Sequence, residues 1–186
     1  MDYSKSQGNN PKYNTFDLSH DKKMSLKMGE IIPVLAMDVL PGDKFTIETS
    51  HLTRFLPLTA PVMHDVKVKV RYFFSPNRIV WDNWEDFITG PTGPLDVTEP
   101  VHPILRAPST PSSLMDYMGV NTSNSAANNE VNVNALPFAH YQFIYDEYFR
   151  DQNLIDEVGA WALVDGAQSA ANNAKLITKR NVAWQH

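Results

Sequence analysis

The 186-residue chain contains no cysteine. Disulfides, thiolate zinc sites and cysteine nucleophiles are therefore excluded, and the fold must hold by packing. Glycine is sparse, with 8 residues. None forms a phosphate-cradling loop: "GPTGP" at 90–94 is locked by proline, and no G-K-[ST] follows. A G-x-S-x-G elbow is absent. The six histidines, at 20, 51, 64, 102, 140 and 186, are scattered without H-x-H or H-E-x-x-H spacing, so no metal site is expected. Apolar runs such as "IIPVLAM" are far too short to span a bilayer, and the polar start "MDYSKSQGNNPKYN" is not a secretory signal. No repeat of solenoid or propeller period is present. The expectation is a protein with no catalytic residues, no cofactor, no metal and no membrane partner.

What the chain does have is the composition of one folded domain. It is 42% hydrophobic and 20% charged, with 13 prolines and a net charge of −5. Contact with a polyanion would have to come from a local patch.

Residues 1–15 read as a flexible polar arm. "MSLKMGEIIPVLAMDVL" breaks at Gly29 and Pro33 into extended pieces. "PGD" at 41–43 signals a turn into "KFTIETS", where Phe45 and Ile47 alternate with polar residues as in a half-buried strand. The strongest strand pattern is "VKVKVRYFF", 66–74. It sets Val66, Val68, Val70 and Tyr72 on one face and Lys67, Lys69 and Arg71 on the other. The spacing of Trp81, Trp84 and Ile88, with Phe87 beside them, predicts a short helix over 80–88, stopped by Gly90 and Pro91.

Proline recurs from Pro91 to Pro111, and "VNTSNSAANNEVNVN" is polar and low in complexity. Residues of about 90–135 therefore read as a long loop excursion. It is interrupted by one or two helical turns at "SLMDYMG", capped by Ser113. A clear helix follows at "LPFAHYQFIYDEYFRDQ", with Pro137 suited to its start. Phe138, Tyr141, Tyr145 and Tyr148 form its stripe, flanked by Ile144 and Phe149. After a small polar stretch, a strand start is expected near the end of "SAANNAKLITKRNVAWQH". The pattern is mainly β, a sandwich or jelly roll with long loop insertions and a few short helices, yet only about four strands are convincing where a jelly roll needs about eight.

Three groups invite a functional reading. Asp82, Glu85 and Asp86 could pair as glycosidase carboxylates, but they are more simply the wet face of the short helix. A carbohydrate-binding β-sandwich module, or a glycoside hydrolase using these three residues, is the alternative function. Lys67, Lys69 and Arg71 form either a solvated face or a local phosphate contact, which makes them candidate DNA-facing residues. Trp81, Trp84, Phe87, Tyr145, Tyr148 and Phe149 are candidate packing or interface residues.

In order along the chain, "FDLSHDKK", "GEIIPVLAMDVLPGDKF", "PVMHDVKVKVRYFFSPNRIVWDNWEDFITG" and "YDEYFRDQNL" resemble successive blocks of microvirus major capsid proteins, most of all the gokushovirus branch. The resemblance spans 16–155. It implies a jelly-roll subunit that self-assembles into an icosahedral shell around the single-stranded DNA genome of a phage. It also implies other virion proteins as partners, assembly in the bacterial host cytoplasm, location in the virion and no enzymatic activity. Such subunits are much longer than this chain. Residues 16–186 are then expected to be the N-terminal part of one jelly-roll domain, completed by a remaining C-terminal capsid segment.

Overall fold

The computed structural model describes residues 14–90, 99–121 and 130–182. The arm expected over 1–15 lies almost wholly outside the described residues, as does much of the polar loop before residue 130. In chain order the elements are β1 (Glu30–Ile31), α1 (Asn77–Val80), α2 (Trp84–Thr89), β2 (Ile104–Pro108), α3 (Leu114–Tyr117), β3 (Glu130–Asn134), α4 (Leu136–Tyr148), α5 (Ala170–Leu176) and β4 (Arg180–Asn181). They make two separate two-stranded antiparallel sheets, β1–β4 and β2–β3.

Helix α4 is the centre of the core. Pro137 enters its first turn, where a missing N–H costs nothing. Its buried positions are Leu136, Phe138, Ala139, Tyr141, Gln142, Tyr145 and Asp146, the i, i+3, i+4, i+7 set of one helical stripe. The predicted stripe holds as far as Tyr145, but Tyr148 is 63% exposed. Around this stripe pack Val80, Trp81, Leu105, Ala107, Leu114, Met115, Leu163 and Leu176.

The stretch expected as a 90–135 loop excursion contains the longer sheet. In β2, Leu105 and Ala107 are buried while Arg106 and Pro108 face solvent, a period of two that the surrounding prolines obscure. Leu105 pairs with Val133 and Ala107 with Val131. Proline is tolerated here because Pro103 precedes the strand and Pro108 is its last residue. Helix α3 falls where expected, and the Ser113 side chain accepts from the Asp116 N–H. Helix α5, capped by Ser169 in the same way, occupies the small polar stretch where no helix was expected. Alanine content gives it propensity, and burial of Leu176 gives it an anchor.

Two expected strands are not formed. Neither "KFTIETS" nor "VKVKVRYFF" enters a ladder among the described residues, and every residue from 34 to 74 is exposed. Alternation supplies a face for burial but not a partner strand, and a strand without a partner leaves its N–H and C=O groups to water. The "PGD" turn does form. Asp43 N–H reaches Leu40 O at 3.1 Å, and Gly42 takes φ 95°, the conformation that the third position of a type II turn requires. One side-chain contact, Thr49 Oγ1 to Tyr72 Oη at 2.9 Å, lays the two alternating stretches beside each other.

Candidate functional site

The tryptophan-rich stretch is two short helices and not one. At Trp81 the chain leaves the α region, with φ −145° and ψ 112°, and forms an isolated parallel bridge to Leu163. Leu163 N–H donates to Val80 O at 2.8 Å. The single helix predicted over 80–88 fails here because pairing with the 163 segment outcompetes one more helical turn. Trp81 is 1% exposed, and its indole N–H donates to Asp165 Oδ1 at 2.7 Å. Asn83 donates to both oxygens of the same carboxylate at 3.1 Å. Trp84, Phe87 and His102 surround the Trp81 ring at centroid distances of 6.1, 5.2 and 6.1 Å. Trp84 is half-buried and Phe87 exposed, while Ile88, expected on the packing face, is 61% exposed.

Asp82, Glu85 and Asp86 are exposed. Among the described residues they join none of the salt bridges. A retaining or inverting glycosidase needs one carboxyl held in an apolar pocket to stay protonated, and these three sit in water.

A second cluster lies along α4. The His140 ring bonds Ser75 Oγ at 2.8 Å through Nδ1 and Asn77 Oδ1 at 2.7 Å through Nε2. It thereby fastens the start of α1 to α4. Burial lowers the His140 pKa from its ordinary value, only partly opposed by the charge of Asp38. Tyr141 donates to Ile31 O at 2.9 Å and accepts from Arg180 N–H at 2.8 Å, so one hydroxyl bridges β1 and β4. Burial pushes this phenol up to about 12, against the pull of Arg180. Gln142, fully buried, donates to Leu176 O and Thr178 O and accepts from Arg180 Nε. Arg180 also lies over the Tyr145 ring at 5.4 Å. Asp146 accepts from the N–H groups of Val158 and Gly159 and from the Trp161 indole, with Arg150 at 3.6 Å.

Gln142, Asp146 and Asp165 escape sequence reasoning. The signal for the first two is present: both fall on the apolar stripe of α4, where a polar residue must find a partner. Asp165 lies 84 residues from Trp81, and no local pattern links them.

Lys67, Lys69 and Arg71 are all exposed. None belongs to the three salt bridges formed among the described residues. The structure brings Arg71 to α4, its guanidinium carbon 5.1 Å from the Phe149 ring centroid, while Phe73 meets Tyr148 at 5.0 Å and Phe149 at 6.0 Å. Among the described residues, no group of three or more histidine or acidic side chains is placed to hold a metal ion.

Comparison with known proteins adds three relatives and one family. A family model described as "Capsid protein (F protein)" matches residues 4–183. The capsid protein VP1 of Chlamydia phage 1 is 35% identical over 156 residues, covering 79% of this chain and 26% of that protein. Capsid protein VP1 of Bdellovibrio phage phiMH2K is 36% identical over 146 residues, covering 77% and 27%. Capsid protein VP1 of Spiroplasma virus 4 is 30% identical over 181 residues, covering 95% and 32%. The chain thus spans about a quarter to a third of the length of the curated relatives it matches.

Proposed function

The chain belongs to the capsid protein (F protein) family, and from that premise we propose that it is part of a structural major capsid subunit. Many copies of that subunit assemble into a small icosahedral shell around a single-stranded DNA genome. The subunit is a component of the virion, assembled in the bacterial cytoplasm, with the other virion proteins and a remaining capsid segment as partners. Its fold is a jelly roll, of which this chain supplies part.

The observation that carries this reading is the segment 34–74. It is exposed throughout, yet it includes Phe45, Ile47, Leu56, Val68, Val70 and Phe74. An apolar surface on that scale marks a docking site, not a finished exterior. Alternation in 44–50 and 66–74 suits strands that gain their ladder from another segment. That the chain spans about a quarter to a third of its relatives' length supports the rest of the capsid protein as that segment.

Co-expression with the remaining capsid segment should give closed particles by electron microscopy. Amide exchange at 66–74 should slow on assembly. Persistent monomers that turn over a glycoside would overturn the proposal.

A further inference from the structure

We infer that Phe73 and Tyr148, backed by Phe149, form a stacking shelf for the bases of single-stranded nucleic acid, whose phosphates run along Lys67, Lys69 and Arg71. The inference rests on the reading of the protein as part of a shell around a single-stranded genome. It names the surface that the strand would touch.

Two independent features meet at one place. The first is the ring cluster: Phe73 is tilted 50° to Tyr148 and lies edge-on to Phe149, 68° between planes. Tyr148 is the last residue of α4 and is 63% exposed. A ring held from one side and open on the other offers a π-face to a planar ligand. The second feature is charge. Lys67, Lys69 and Arg71 are exposed and without an acidic partner among the described residues, in a chain of net charge −5. These three cations on five residues, Arg71 among them held over the Phe149 ring at 5.1 Å, form a local attractor for a polyanion that the rest of the chain repels.

The geometry also orients the ligand. Glu147, exposed beside Tyr148, and the carbonyl end of α4 both repel phosphate. The rings can therefore take bases, while the backbone of the strand is drawn to the lysines. An apolar protein segment would use the rings but leave the three cations idle. A single strand uses both. Because every base has a π-face, such a shelf binds without sequence preference.

The test measures binding of the full chain to oligothymidylate and to an abasic strand with the same number of phosphates, across a salt series. Oligothymidylate should bind about tenfold more tightly, the contribution of one stacked base. Tyr148→Leu should remove most of that preference and leave the salt slope unchanged. Replacing Lys67, Lys69 and Arg71 by Ser should flatten the logarithmic salt slope by up to roughly two units and keep the base preference. Tyr148 is chosen over Phe73 because its exposed position at a helix end tolerates leucine. Equal binding to both strands, or a base preference untouched by Tyr148→Leu, overturns the shelf, and so does binding to neither strand. Electron microscopy of the co-expressed capsid protein separates the two claims. Particles that form while the base preference is absent defeat the shelf alone, whereas failure to form particles defeats the capsid reading.

Discussion

Val68 and Val80 are the same side chain twelve positions apart, yet Val68 is 44% exposed and Val80 1%. Each lies in a stretch with a clear apolar pattern. Val80 is buried because residues 160–165 return to it: Leu163 N–H takes its carbonyl, and Trp81 beside it is tied to Asp165. Val68 has no strand beside it in a ladder among the described residues. The two regions therefore differ in whether the described residues contain the surface that their pattern calls for. Among the described residues, 34–74 is exposed and has no ladder partner, whereas the core around α4 is packed on itself.

The sharpest way to test that contrast is Trp81→Ala against Val68→Ala in the chain alone. The first should cost about 3–5 kcal/mol in chemical denaturation, through lost burial and loss of the indole hydrogen bond to Asp165. The second should cost less than about 0.5 kcal/mol. Comparable losses would mean that 66–74 is already buried in this chain. In assembled particles the Val68 cost should rise toward about 1 kcal/mol or more.

Next in size is Asp146→Ala, which leaves the Val158 and Gly159 N–H groups and the Trp161 indole without their acceptor. About 2–3 kcal/mol should be lost, read as a lower denaturation midpoint. A value near zero would show that the 156–161 loop is held by something else.

A pH series probes the same core without cavities. The Tyr141 pKa is raised in the folded state, to about 12, so its contribution is fully present below the unfolded value near 10. It is lost as pH climbs through 12, on the order of 2 kcal/mol in total. His140 has the opposite sign: its folded pKa is lowered, so stability is full above the unfolded value near 6.5 and falls as pH drops through the folded one. Tyr141→Phe should flatten the alkaline limb and His140→Gln the acidic one. Limbs that persist unchanged in these variants would place the titrations elsewhere.

The smallest effect belongs to the wet face of the 77–90 stretch. Asp82→Ala, Glu85→Ala and Asp86→Ala should each shift stability by less than about 0.5 kcal/mol, measured by the same denaturation. Losses rivalling that of Trp81→Ala would put the carboxylates, not the rings, at the centre of the stretch.

What could be read from the sequence follows from the range of the forces involved. The α4 stripe, the Ser113 cap and the "PGD" turn are set by neighbours within four residues, and all are legible. The β2–β3 pair was hidden because proline density argues for loop, while the decisive Leu105–Val133 pairing is long-range. The expected strands 44–50 and 66–74 have the right alternation and lack a ladder partner among the described residues. Of the candidate side chains, burial could be read for Trp81 and Tyr145 but not for Tyr148, whose place on the stripe is undone by the end of the helix. Asp165 and Gln142 find their partners only in three dimensions.

The β1–β4 pair sets a timetable for synthesis. Glu30 pairs with Asn181, so the N-terminal strand cannot be secured until that residue has left the ribosome. At roughly 5–20 residues per second, the interval is on the order of ten to thirty seconds. The segment from 34 to 74, exposed in the folded chain as well, is carried in the open throughout that interval. Mistaken strand pairing between nascent neighbours is then the main competitor of folding. Synthesis in the presence of a chaperone that shields extended apolar chains should reduce the insoluble fraction.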